Sequence, residues 1–140
     1  MNSNASIRDK ISQAKAEVSK LSRNRDKIER MLLWLGPMLE GSFTKRYTRC
    51  KKPGCKCEKG ERHGPYFSIS KKDESGKTRL VYIRPNELAT TSRLLETRRE
   101  FRAGLKRLKI AQEKVDKALL ALERLNLQEG EAQRADLRKS

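Results

Sequence analysis

Three cysteines and the single histidine of the chain lie close together near the middle of the sequence. In the order C-x4-C-x-C-x5-H they are Cys50, Cys55, Cys57 and His63. Three thiolates and one imidazole form the ligand set of a closed tetrahedral zinc site, which keeps no position open for water or substrate. An odd number of cysteines without a secretion signal argues against a disulfide framework. We therefore predict a structural Zn²⁺ site; the alternative is three reduced cysteines beside a surface histidine.

The same residues give little support for catalysis. His63 is better used as a ligand than as a base, and no carboxylate pair or Ser/His/Asp set accompanies it in the sequence. The glycines do not form a phosphate-loop pattern. We predict that the protein is not an enzyme.

Positive charge is concentrated around this cluster. The chain has a net charge of +16, with 34 Lys and Arg against 18 Asp and Glu, and residues 41–85 carry the largest share of the surplus. Such a balance favours polyanionic partners, nucleic acid first and DNA ahead of RNA. We predict phosphate contacts from eight basic residues among the metal ligands: Lys45, Arg46, Arg49, Lys51, Lys52, Lys56, Lys59 and Arg62.

The segment that holds the cluster, residues 41–85, has the alternation of a small β-sheet. Residues 66–70 and 78–83 are rich in β-branched and aromatic side chains and flank a polar linker with Gly76, which predicts a hairpin. Residues 42–48 alternate similarly and predict a third strand, because a two-stranded ribbon is only marginally stable. The aromatic residues could stack on unpaired bases, but we expect core packing for Phe67 and leave Tyr66 open.

Heptad patterns flank this segment on both sides. The first helix block, residues 6–40, and the second, residues 86–127, place apolar residues at alternating steps of three and four. Arg25 is a charged residue within the first seam, and residues 128–140 are expected to form a flexible tail. The predicted coiled-coil core includes Ile11, Val18, Leu21 and Ile28 of the first helix and Leu105, Leu108, Val115 and Leu119 of the second.

These blocks predict an α+β protein: two long heptad helices form a coiled-coil stalk, and a zinc-stapled antiparallel β head is inserted between them. We expect an antiparallel hairpin; a parallel dimer of either helix also fits the pattern. The unpaired end of the longer helix favours a homodimer or higher oligomer. No apolar run is long enough for a membrane span and no signal peptide is visible, so we expect a cytoplasmic protein.

The clustered C-x4-C-x-C run is followed by His63-Gly64-Pro65-Tyr66. On these elements the middle segment, residues 41–84, resembles an uncharacterised family of small prokaryotic zinc-type proteins, often associated with transposases. The resemblance implies a zinc module between helices, with the same three cysteines and His63 as ligands, and it implies no known activity.

Two functions follow as hypotheses. The first is a non-enzymatic nucleic-acid-binding protein whose basic head contacts phosphates and whose coiled coil mediates self-association. The alternative is a coiled-coil adaptor that recruits or oligomerises a protein partner, such as a mobile-element enzyme.

Overall fold

The computed structural model describes residues 3–50 and 52–139 and has a mixed α+β architecture, as predicted. Its elements are α1 (Ser3–Trp34), β1 (Ser42–Thr48), β2 (His63–Lys72), β3 (Thr78–Ile83) and α2 (Leu88–Lys139), with short 3₁₀ turns at Lys56–Lys59 and Pro85–Glu87. Residues 35–101 form one compact unit, which contains the sheet and the start of α2. The remaining helical residues form a second unit.

The sheet is antiparallel in the order β1-β2-β3. Phe43 pairs with Ile69 across β1 and β2, and Phe67 pairs with Ile83 across β2 and β3. The bounds predicted for β1 and β3 agree with the structure, because alternating β-branched and aromatic residues identify a strand directly. The predicted three-stranded sheet is thereby confirmed.

A compact turn joins β2 to β3. One carboxylate oxygen of Asp73 accepts hydrogen bonds from the Ser75 amide at 2.9 Å, the Ser75 hydroxyl at 2.6 Å and the Lys77 amide at 3.0 Å. The other oxygen accepts from Arg79 Nε at 2.9 Å. These bonds hold the pKa of Asp73 below its ordinary value, the Ser75 hydroxyl contributing most. The carboxylate thus sets the turn and the register of the hairpin.

One face of the sheet carries the small core of this unit. The rings of Phe43 and Phe67 lie 5.4 Å apart between centroids and are tilted by 30°, and Ile83 is only 3% exposed. Phe43 and Leu95 of α2 line a common cavity of about 230 Å³, and Leu95 is itself buried. The start of α2 therefore covers this face, and Phe67 packs in the core as predicted.

In the helical unit, α1 shows the buried stripe that its sequence predicts. The eight positions at alternating steps of three and four from Ile7 to Leu32 are all half-buried or buried, and the residues between them are mostly exposed. Ile11, Val18, Leu21 and Ile28 belong to this stripe. A stripe with this spacing lies on one face of a helix, so α1 has a single packing face.

That face lies against α2, and three contacts show that the helices run antiparallel. Arg8 of α1 is 3.8 Å from the carboxylate of Glu129, and Arg25 donates a hydrogen bond of 3.2 Å to the side chain of Gln112. Leu32 packs against Gly104. Residue numbers rise along one helix as they fall along the other. The charged residue of the first seam thus meets a polar partner.

The packing face of α2 differs from the prediction by one residue. Leu108 and Val115 lie on it as expected, but its other row consists mostly of small residues one position before the predicted Leu105 and Leu119. Leu105 is still half-buried, whereas Leu119 is 47% exposed and is therefore not a core residue of this chain. Small side chains let two helix backbones approach closely. The prediction selected large apolar residues and therefore did not identify this row. The inner row is Gly104, Ala111, Ala118, Leu125 and Ala132.

The prediction of a flexible tail at residues 128–140 is also wrong, because α2 continues to Lys139. Gln133 bonds to Glu129 and Arg134 lies 3.8 Å from Glu131, so side chains one turn apart support the helix. Half-buried Ala132 extends the inner row. A single glycine, Gly130, costs only about 1 kcal/mol and does not end the helix. No helix of residues 3–50 and 52–139 is long and apolar enough to cross a membrane.

Candidate metal centre

The structure brings the three cysteines and the histidine into one cluster. Cys50 follows β1, Cys55 and Cys57 lie at the first 3₁₀ turn, and His63 begins β2. The ligand atoms of the four side chains all lie within 4.8 Å of one another. Cys57 is buried and the other three residues are half-buried.

The distances are suited to one tetrahedral ion. The Sγ atom of Cys57 is 3.7 Å from that of Cys50 and 3.8 Å from that of Cys55. Two thiolates on one zinc ion, each about 2.3 Å from the metal, would lie about 3.8 Å apart. The Nε2 atom of His63 is 3.1 Å from Cys50 Sγ and 3.0 Å from Cys55 Sγ, somewhat closer than such an ion would hold them. The four side chains could bind a metal ion, and the sulfur spacing is consistent with zinc.

Local turns place the three sulfurs. The Cys55 amide donates to the Lys52 carbonyl at 3.4 Å, and Gly54 has a φ of +77°, as required at the third position of a type II turn that begins Lys52-Pro53. This turn returns the chain toward Cys50, whose amide donates to Cys57 Sγ at 3.5 Å. An amide directed at a sulfur stabilises the thiolate, which is the form that binds a metal.

Gly64 brings the last ligand against β1, a role that the sequence analysis did not assign. Its φ is +127°, and a Cβ atom there would lie 2.8 Å from the carbonyl oxygen of Arg46. Only glycine therefore permits the backbone beside His63 to approach β1 so closely. A glycine inside a strand often marks a close backbone approach, but the sequence does not show which backbone lies opposite Gly64.

The thiols differ in acidity because they share one small volume. The Cys57 amide, the neighbouring Cys50 thiol and other hydrogen bonds lower the pKa of Cys55 to about 6. For Cys50, the Lys52 amide lowers the pKa, but the Cys55 side chain, desolvation and Cys57 outweigh it, so the net shift is upward. One thiolate thus forms readily and opposes the next. A bound cation would remove this repulsion.

The predicted phosphate-binding residues lie close to the clustered ligands in sequence, between residues 45 and 62. Those that the structure describes are all exposed, and none forms a salt bridge with a carboxylate of residues 6–50, 52–57 or 59–139. Lys45 also lies 5.7 Å from the centre of the Tyr47 ring. The prediction for Lys51 lies outside the described residues. The seven described residues are Lys45, Arg46, Arg49, Lys52, Lys56, Lys59 and Arg62.

Fold and site together define a mixed α+β protein with a Cys₃His cluster at one end of a three-stranded sheet. The chain belongs to the family described as a domain of unknown function, DUF6788, which matches residues 14–93. The match includes the whole sheet and all four clustered residues, and it fits the resemblance to an uncharacterised family. No curated protein and no solved structure matches the chain.

Proposed function

We propose that the protein binds nucleic acid, DNA ahead of RNA, without catalysing a reaction. In this proposal Zn²⁺ is held by Cys50, Cys55, Cys57 and His63 and fixes the basic head. The observation that carries it is the set of seven exposed cations that lie close to the cluster in sequence and lack carboxylate partners among the side chains that the structure describes.

The charge of the metal centre alone does not explain those cations. Three thiolates on one divalent ion carry a net charge of about −1. A single negative charge needs far fewer positive neighbours than the seven basic residues that lie near it in sequence. Phosphates are the ligands that such a surplus suits, because each contact neutralises a backbone charge and releases counterions. With four protein ligands, the ion keeps no open position for a reacting group, so its role is structural.

The decisive experiment is the salt dependence of binding to a random-sequence DNA duplex, measured by fluorescence anisotropy on metal-loaded protein. If six to eight phosphates are neutralised, log K should fall against log salt with a slope of roughly −5 to −7. A slope shallower than about −2 would overturn the proposal. Phosphate contacts position a protein without reading sequence, so little preference among duplexes is expected.

Two charge-reversal variants test which residues contact phosphate. Lys52→Glu, Lys56→Glu and Arg62→Glu together should reduce the magnitude of the slope by about 3, since each lost contact removes about 0.9. The control makes the same charge change on the exposed side of α1 and should leave the slope unaltered. It combines Lys10→Glu, Lys15→Glu and Lys20→Glu.

We also propose that the antiparallel helices form a coiled coil that self-associates into a homodimer or higher oligomer. Leu119→Asp, at an apolar position of α2 that is 47% exposed and lies off the face packed against α1, should reduce the mass measured by light scattering, while the Lys52/Lys56/Arg62 variant should keep it. If both variants and the wild-type chain have the mass of a monomer, this part of the proposal is wrong.

The second candidate is an adaptor that binds a protein partner, such as a mobile-element enzyme. It is favoured by exposed apolar residues on the helical unit, among them Met31 at 52%, Trp34 at 87% and Ile110 at 54%. The resemblance to a family of prokaryotic proteins that are often associated with transposases is compatible with either role. Both roles would place the protein in the cytoplasm. An adaptor would show shallow salt dependence on DNA, so the anisotropy experiment separates the two candidates.

A further inference from the structure

The two faces of the sheet differ in what covers them. Alternation along the strands places the buried Ile83 on the same face as Phe43 and Phe67, beneath the start of α2. The opposite face, here called the open face, presents Tyr66 and Tyr82. Its residues, from β1 to β3, are Ser42, Thr44, Arg46, Tyr66, Ser68, Ser70, Lys72, Thr78, Leu80 and Tyr82.

Two aromatic rings stand exposed on the open face. Tyr66 is 41% exposed and Tyr82 is 56% exposed. Ser68, two residues after Tyr66 on β2, pairs directly with Tyr82, so the two tyrosines are diagonal neighbours on adjacent strands. Diagonal side chains on one face are about 7–8 Å apart, within reach of one extended ligand. Neither phenol hydroxyl has a hydrogen-bond partner among the described residues.

The charge of the open face is of one sign. Arg46 pairs with Tyr66 across β1 and β2, and Lys72 lies at the end of β2. No aspartate or glutamate occurs in the strand residues of this face. β-Propensity alone would account for tyrosine in a strand. β-Propensity does not account for two exposed rings beside Arg46 on a face whose strand residues include no carboxylate.

We propose that the open face is a docking platform for single-stranded DNA, with bases stacked on Tyr66 and Tyr82 and a phosphate bound by Arg46. The inference rests on the proposed function and narrows its ligand. Every base has a π-face that an aromatic ring can cover, but in a duplex those faces are hidden between neighbouring pairs. A platform of exposed rings beside a cation therefore serves unpaired bases, whereas the cations around the metal centre can also bind a duplex.

The test compares three proteins on a fluorescein-labelled oligodeoxythymidine and on a duplex, in the same buffer and with metal bound. The double variant Tyr66→Thr/Tyr82→Thr keeps residues that favour strands and removes both rings. The matched control, Tyr66→Phe/Tyr82→Phe, keeps the rings and removes only the hydroxyls. Circular dichroism and metal content establish that each variant keeps the fold.

Removing each ring should weaken binding to the single strand about tenfold, so the threonine variant should lose about a hundredfold, within the range for base–aromatic stacking. Its duplex affinity should change less than about threefold, the scale of a surface change. The phenylalanine variant should bind both ligands like the wild type. A fluorescent adenine analogue within the oligonucleotide should be quenched by the wild-type and phenylalanine proteins only.

The outcomes distinguish failure of the proposed nucleic-acid binding from failure of the single-strand platform. If the wild type binds neither ligand, the proposed function fails. If it binds the duplex steeply with salt and the threonine variant binds the single strand like the wild type, only the platform is overturned. Tighter binding of oligouridine than of oligodeoxythymidine would overturn the choice of DNA.

Discussion

Replacing Gly104 by alanine should destabilise the helix pair, although alanine is the better helix former. Gly104 lies within α2, where Leu32 of α1 packs against it. A Cβ atom at this position would overlap Cδ2 of Leu32 and lie 3.3 Å from its Cγ. Leu32 is only 8% exposed, so it has little room to move away. Packing and helix propensity therefore act in opposite directions here.

The magnitudes decide which effect wins. Alanine gains about 1 kcal/mol over glycine in a helix interior, whereas overfilling a packed site costs about 1–3 kcal/mol. We expect Gly104→Ala to lower the free energy of unfolding by about 1 kcal/mol. Gly130 is the matched control: it lies in the same helix, and a Cβ atom there would meet nothing within 4 Å. Gly130→Ala should raise that free energy by up to about 1 kcal/mol.

Urea unfolding followed by far-ultraviolet circular dichroism measures both variants. Leu32→Ala alone should cost about 2–5 kcal/mol, and less in the Gly104→Ala background, because the new methyl group fills part of the cavity. Equal stabilisation by Gly104→Ala and Gly130→Ala would show that Leu32 does not pack on Gly104. That result would refute the antiparallel register.

Three further predictions concern the sheet unit. Removing metal with a chelator should abolish the tyrosine signal in near-ultraviolet circular dichroism while most helical signal remains, because binding a structural zinc contributes about 10–16 kcal/mol to folding; an unchanged tyrosine signal would contradict a structural ion. Gly64→Ala should destabilise the sheet more than Gly54→Ala does in urea unfolding, because both glycines have positive φ but only Gly64 faces a carbonyl oxygen, at 2.8 Å from the added Cβ. Asp73→Asn should destabilise the protein at neutral pH, where the wild-type carboxylate is ionised and bonded to Ser75 and Arg79. The pKa of Asp73 is lowered on folding, so this stabilisation is present above the ordinary value near 4 and is lost as pH falls through the folded value; the unfolding midpoints of the two proteins should converge in acid.

The predictable parts of this fold are those in which one local rule acts alone. The seam of α1 follows from the spacing of its apolar residues, and the bounds of β1 and β3 follow from alternation. The clustering of Cys50, Cys55, Cys57 and His63 follows from their proximity in sequence and from the turn at Pro53-Gly54. In each case neighbours in sequence determine the geometry.

The parts that failed depend on contacts that the local sequence pattern does not reveal. Apolar size favoured Leu119 as a core residue, but an antiparallel partner at close range selects the small residue before it, Ala118. The order of the last turns of α2 likewise depends on side-chain pairs that composition does not reveal, such as Gln133 with Glu129. The role of Gly64 required knowing which backbone lies opposite it. Each failure concerns a contact between segments distant in sequence, or a pairing that a composition average conceals.

Polar residues within the helix pair limit the ways in which it can be assembled. Arg25 bonds to Gln112 at 3.2 Å across α1 and α2, and both residues are half-buried on the packing faces. Arg25 also bonds to Asp26 of its own helix, at 3.1 and 3.2 Å, but a shift of one heptad would remove the Gln112 acceptor, at a cost of about 1 kcal/mol. The same penalty applies in a parallel dimer of α1, where two copies of Arg25 would face each other. The polar pair therefore favours the antiparallel arrangement over the parallel dimers that the heptad pattern alone allows.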